Sequence, residues 1–127
     1  MQTEMDSEAL LWTLMIGPGF SYSEQEGWSI LRVNGELDMS TAPRLRQRII
    51  AIVASGSEQL ILDLDGVDFM DSTALGVLVG AVKRIRTNNG ELRVVCTREN
   101  ILKLFELTGL NTVFNLYTSV ELAVTPQ

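Results

Sequence analysis

Histidine is absent from the 127 residues, and cysteine occurs once, as Cys96. Without imidazole there is no Ser-His-Asp or Cys-His nucleophile pair and no supply of the commonest zinc ligand. One thiol builds neither a structural zinc site nor an internal disulfide, and it fits a reducing compartment. Basic residues are outnumbered: ten Lys and Arg against sixteen Asp and Glu leave a net charge of −6. That balance argues against a nucleic-acid partner, because phosphate binding needs clustered cations to displace counterions. It favours a protein partner with basic surface. Long apolar runs are missing too. Residues 9–16 are interrupted by Thr13 and fall short of the roughly 20 residues that span a bilayer. Glu4, Asp6 and Glu8 stand where a secretory signal carries basic residues. The expectation is a cytoplasmic protein without a membrane span. No glycine-rich phosphate loop is present, and no cofactor is called for.

Hydrophobic residues at 46% and charged residues at 20% describe a globular protein with a real core. The breaker Gly17-Pro18-Gly19 divides the chain into an N-terminal extension, residues 1–19, and one domain, residues 20–127. Ala9, Leu10, Leu11, Trp12, Leu14, Met15 and Ile16 make the extension too apolar for a free tail. It is expected to dock on its own domain or on a neighbouring copy, so a homodimer through the extension is one expected outcome.

From Phe20 the pattern becomes regular. A strand over residues 28–33 forms a hairpin with residues 20–23, and Asn34-Gly35 is expected to turn the chain into Glu36-Leu37-Asp38. A helix from about Ser40 carries Leu45, Ile49, Ile52 and Val53 on one face, with Pro43 tolerated in its first turn. Residues 60–64 (Leu-Ile-Leu-Asp-Leu) read as a strand covered on both faces, with a loop behind it. Leu75, Leu78, Val79, Val82 and Ile85 repeat at helical spacing, and Asn88-Asn89-Gly90 closes that helix. Leu92, Val94 and Cys96 alternate in a further strand. Ile101, Leu104 and Phe105 mark a third helix capped near Thr97 and stopped by Gly109. A last strand over residues 112–117 and a short helix over residues 119–124 complete an α/β fold. It has an open mixed sheet of four to five strands and helices mainly on one face.

Three features carry chemistry. Ser72, at the start of the clearest helix, reads as an N-cap and also as an exposed hydroxyl poised to carry phosphate beside free amides and the positive helix end. Asp63 and Asp65, in Leu60-Ile61-Leu62-Asp63-Leu64-Asp65-Gly66-Val67, match the opening motif of haloacid dehalogenase-like phosphatases. That magnesium-dependent chemistry needs further carboxylates from a later strand end, whereas no aspartate follows Asp71. The plainer reading is that the two acids cap the strand end and solvate its loop. Gly76-x-x-x-Gly80 reads as close packing of the helix on its sheet, and more weakly as a flat face for a partner.

Taken together, Gly35-Glu36-Leu37-Asp38 with Thr41-Ala42, Val67-Asp68-Phe69-Met70-Asp71-Ser72-Thr73 continuing to Gly80, and Ile101-Leu102-Lys103-Leu104-Phe105 with Leu107-Thr108-Gly109-Leu110 resemble the bacterial anti-sigma factor antagonists. These are STAS domains, and the resemblance covers residues 20–124. It implies the STAS-like fold and a binding protein rather than an enzyme. Its partner would be an anti-sigma factor with serine kinase activity, and a phosphatase would reset the modification. Ser72 would be the phosphorylated serine, and Asp38, Thr41, Asp71, Thr73 and Gly76 would belong to the partner-binding surface. Unphosphorylated, the protein would hold the anti-sigma factor and free the sigma factor; phosphorylated, it would let go. Ala74 departs from the family's usual glycine, and its methyl group is expected to change how close a partner comes. The rival readings are a STAS scaffold of a stress-signalling or lipid-transport complex and, further off, the phosphatase using Asp63 and Asp65.

Overall fold

The computed structural model describes residues 19–126. Residues 1–18 of the extension, and the docking and homodimer expected of them, lie outside the described residues. Strands β1 (Phe20–Gln25) and β2 (Trp28–Leu37) form the expected hairpin, antiparallel from Phe20 opposite Val33 to Gln25 opposite Trp28. Three crossovers follow through helices α1 (Ala42–Ala54), α2 (Ser72–Thr87) and α3 (Glu99–Leu107). They add β3 (Gln59–Met70), β4 (Glu91–Val95) and β5 (Asn115–Tyr117), each parallel to the strand before. The sheet order is therefore β1-β2-β3-β4-β5. Crossovers between parallel strands are right-handed, and here all three step the same way across the sheet, so their helices share one face.

That face holds the larger core. Leu31, Leu60, Leu62, Leu92 and Val94 from the strands meet Leu45, Ile49 and Ile52 of α1, Leu75, Leu78 and Ile85 of α2, and Ile101 and Phe105 of α3. A smaller cluster occupies the opposite face, where Val120 and Ala123 of the short α4 (Val120–Ala123) and the following Val124 cover Trp28, Ile30, Ile61 and Val95. Leu60, Ile61 and Leu62 are fully buried in succession, as a strand covered on both sides requires. No helix among the described residues is long and apolar enough to cross a membrane.

The sequence reading errs at the strand ends. Asn34-Gly35 does not turn the chain; β2 runs on to Leu37. Nor does a loop follow Leu64, because β3 continues to Met70. The register explains both errors. Arg32 pairs with Asp63 but Asn34 with Gly66, and Gly35 pairs with Val67 but Glu36 with Phe69, so β3 takes one extra residue at each of two bulges. Buried Leu64, Val67 and Met70 therefore recur every third residue rather than every second. Gly35 adopts φ +92° within this irregular stretch, a conformation that favours glycine. Smaller differences occur downstream. Helix α1 begins at Ala42, Arg98 rather than Thr97 precedes α3, and a 3-10 turn (Leu110–Thr112) replaces the start of the last strand.

Candidate functional site

The extended β2 and β3 deliver two loops to one end of the sheet. The Asp71 amide donates to the Leu37 carbonyl at 3.1 Å, which joins the start of α2 to the end of β2. Immediately after Leu37, Asp38 folds the next turn around its own carboxylate. Its Oδ1 accepts from the Ser40 hydroxyl at 2.7 Å, the Ser40 amide at 2.9 Å and the Thr41 amide at 3.1 Å. Thr41 Oγ1 donates to the Glu36 carbonyl at 2.7 Å and accepts from the Asp38 amide at 2.9 Å. Asp38 and Thr41 thus hold this turn against the sheet.

The Ser40 hydroxyl and amide, followed by the Thr41 groups, hold the Asp38 carboxyl below its ordinary range. A lowered folded-state value means that these bonds favour the folded turn above the unfolded carboxyl value, near 3.9, and stop doing so as pH falls through the lower folded value. The Ser40 and Thr41 amides should therefore keep their protection factors at pH 5 and lose them as pH falls through the lower folded value. Amide exchange on the protein and on Asp38→Asn will check this: the variant should lose the pH dependence at these two amides.

Helix α2 is capped by Asp71 rather than by Ser72, which corrects the sequence reading. Asp71 is extended (φ −110°, ψ −177°), and its carboxylate accepts from the amides of Thr73 at 2.9 Å and Ala74 at 3.1 Å. Ser72 is the first helical residue, exposed, with its hydroxyl outside the cap. The amides expected to receive a phosphate are thus already occupied at Thr73 and Ala74. Asp71→Ala should lower stability by about 1 kcal/mol through loss of the cap. Thermal denaturation will measure this, and Asp71→Asn, an equally good cap, should restore most of it.

The structure brings the expected residues together in two groups. Asp38 and Asp71 line one cavity of about 500 Å³ with Met39 and Ser40. Thr73 and Gly76 line another, of about 380 Å³, between α1 and α2. Ser72 stands at the helix start beside both lining residues Asp71 and Thr73. Ala74 does not face outward: it is fully buried in the core, so its methyl group meets the sheet side and no partner. Met39, which sequence patterns did not single out, is 75% exposed beside the two carboxylates. Its signal was its place between Asp38 and Ser40 in a turn, outside any apolar periodicity.

Gly76 and Gly80 overturn another expectation. They are exposed, and a Cβ on either meets nothing within 4 Å, so they do not serve packing on the sheet. Each costs a helix interior about 1 kcal/mol relative to alanine, with no return inside the described fold.

Asp63 and Asp65 also change role. Both lie within β3 rather than at its end. Asp63 pairs with Arg32 at 3.3 Å, and Asp65 accepts from the Thr97 amide at 2.6 Å and the Thr97 hydroxyl at 3.0 Å. They fasten β3 to β2 and to the turn before α3. Among the described residues no three His, Cys, Asp or Glu side chains are grouped to hold a metal ion.

Comparison with known proteins agrees with this architecture. Residues 20–123 match the profile of the STAS domain family. The anti-sigma-B factor antagonist of Staphylococcus aureus (strain NCTC 8325 / PS 47) is 33% identical over 97 residues, 76% of this chain and 90% of the relative. That of Bacillus subtilis (strain 168) is 33% identical over 91 residues, 72% and 83% of the two chains. Among solved structures, an anti-sigma factor antagonist from Mycobacterium paratuberculosis superposes with a TM-score of 0.76 at 33% identity, covering 83% of this chain and 89% of that one. The unphosphorylated form of the antagonist SpoIIAA shares the fold, with a TM-score of 0.65 at 19% identity over 83% of this chain and 94% of that one. This chain belongs to the STAS domain family and, within it, to the anti-sigma factor antagonists.

Proposed function

We propose that the protein binds an anti-sigma factor with serine kinase activity through the face built from Asp38, Thr41, Asp71, Ser72, Thr73 and Gly76. The bound kinase transfers the γ-phosphoryl group of ATP to Ser72 Oγ, ADP leaves, and the complex separates. A phosphatase then restores the hydroxyl. The observation that carries this reading is the division of labour at the head of α2: Asp71 makes the cap, and the exposed Ser72 hydroxyl is available to a second protein. The names of the S. aureus and B. subtilis relatives supply the class of partner. Asp38 and Asp71 beside exposed Met39 suit a basic surface with an apolar pocket. The protein acts here as ligand and phosphate acceptor, not as catalyst.

Incubation with candidate anti-sigma kinases and ATP, followed by peptide mass spectrometry, tests the proposal. Phosphate on Ser72, and none on Ser72→Ala, is the expected result. A kinase that binds tightly and leaves Ser72 unmodified would overturn the switch and leave a constitutive antagonist.

A further inference from the structure

Most of the positive charge on helices α1 and α2 is unanswered inside the fold. The two helices carry Arg44, Arg46, Arg48, Lys83, Arg84 and Arg86 and not one Asp or Glu, although acids outnumber bases sixteen to ten in the chain. The helix dipole accounts for Arg84 and Arg86, which stand in the last turn of α2. It does not account for α1. Arg44 lies in the first turn, where a cation is unfavourable, and it repels Arg48 four positions on. The arginines that pair with acids are Arg32, Arg93 and Arg98, all outside these helices. Among the described residues Arg44, Arg46, Lys83 and Arg84 meet no carboxylate.

We propose that this face receives the Asp38, Met39 and Asp71 head of a second copy of the chain. The groove between α1 and α2 has Arg46 on one wall and Arg84 on the other, with Ile50 and Val77 in its apolar lining. The head carries the complementary pattern. Met39 is 75% exposed, and Asp38 and Asp71 line the same cavity beside it. Both carboxylates use Oδ1 for the donors of their own turns, which leaves each Oδ2 to accept from a guanidinium. Seated in the groove, Met39 covers Ile50 and Val77 while the two acids face the two arginines.

A bilayer or a nucleic acid also offers negative charge but suits this face less well. The exposed large apolar side chains among the described residues are Met39, Phe69, Leu107 and Leu122. None stands on α1 or α2, so these helices have no anchor for a bilayer. A polyanion also meets the field of a chain with net charge −6. Two copies repel through that net charge and attract in the head-to-groove orientation, which makes the contact directional. Head and groove are different patches, so the contact is heterologous and extends into rings or open chains. The head is also the face assigned above to the anti-sigma factor, so a bound partner would end such a chain. The self-association itself requires neither a kinase nor phosphate on Ser72.

Sedimentation equilibrium on the full-length chain tests the proposal. Average mass should rise with concentration. The association constant should fall about tenfold between about 0.15 M and about 1 M salt, as the Debye length shrinks from about 8 Å to about 3 Å. Two variants then separate the patches: Met39→Arg disables the head, and Arg46→Glu with Arg84→Glu disables the groove. All three side chains are exposed, and thermal melts will verify that each variant folds. Each variant alone should be monomeric. An equimolar mixture should form a one-to-one dimer, because the intact head of one meets the intact groove of the other. An unsubstituted chain that stays monomeric at millimolar concentration would overturn the proposal without recourse to any variant. So would association that either variant leaves unchanged, or variants that remain monomeric when mixed.

Discussion

On the proposed switch, the protein phosphorylated at Ser72 will bind the anti-sigma kinase at least about a hundredfold more weakly than the unmodified protein. The modification adds a charge of about −1.5 to −2 at neutral pH. At the head of α2 that charge finds Asp71 already bonded to the Thr73 and Ala74 amides, with the Asp38 carboxylate in the same cavity as Asp71. The cations of a basic partner surface are already matched by Asp38 and Asp71, so the added charge enters the interface without a counterion of its own; that costs several kcal/mol, and each 1.4 kcal/mol is tenfold in affinity. Titration calorimetry on both forms will measure the ratio. Ser72→Ala should bind like the unmodified protein, and Ser72→Asp should fall between the two, because it carries one charge and fewer acceptor oxygens. Undiminished binding by the phosphorylated form would remove the electrostatic account. The fold itself should change little: the helix dipole offers roughly 0.3–1 kcal/mol to the phosphate, and repulsion from Asp71 is of similar size.

Arg93→Ala should destabilise the fold by about 3 kcal/mol, the largest loss expected of any single polar side chain described here. Arg93 is 3% exposed on the smaller core face. Its guanidinium donates to the carbonyls of Ala123 at 2.5 Å and Thr125 at 2.7 Å, stacks 4.3 Å from the Trp28 ring centroid and lies 5.3 Å from that of Tyr117. Loss of a cation–π contact costs about 0.5–2 kcal/mol, and a buried carbonyl left without its donor about 1–3. The Glu91 pair at 2.8 Å adds little, since that carboxylate is 37% exposed. A four-residue helix such as α4 has no persistence of its own. The Leu122, Ala123 and Val124 amides should therefore lose exchange protection before the rest of the domain. Arg93→Lys should recover only part of the loss, because a single ammonium cannot reproduce the planar fork.

How much of this was legible in the sequence follows from which signals are local. Helix α2 was plain because Leu75, Leu78, Val82 and Ile85 keep one period along its length, and all four are buried. The far half of β3 was invisible because its two bulges turn a period of two into Leu64, Val67 and Met70 at a spacing of three. Asp65 looked like loop chemistry, since its partner Thr97 lies across the sheet and no local pattern announces it. Ser72 and Asp71 are both favoured caps, and only the backbone shows which of them is extended. Gly76 and Gly80 were correctly noticed and wrongly aimed. Helical spacing shows that two residues share a side, and only the placement of α1 turns that side to the groove.

The choice of Asp71 as cap has a consequence for the lifetime of the molecule. A group attached to Ser72 Oγ breaks none of the bonds that hold the head of α2. Removal of a protein by proteases tracks how often it opens, which depends on folding stability. Marked and unmarked molecules should thus be degraded at rates within a few-fold of each other, given a stability difference below about 1 kcal/mol. Under the proposed switch, the proportion carrying phosphate would then be governed by the opposing enzymes at Ser72, and each molecule would pass through many rounds of modification before it is replaced.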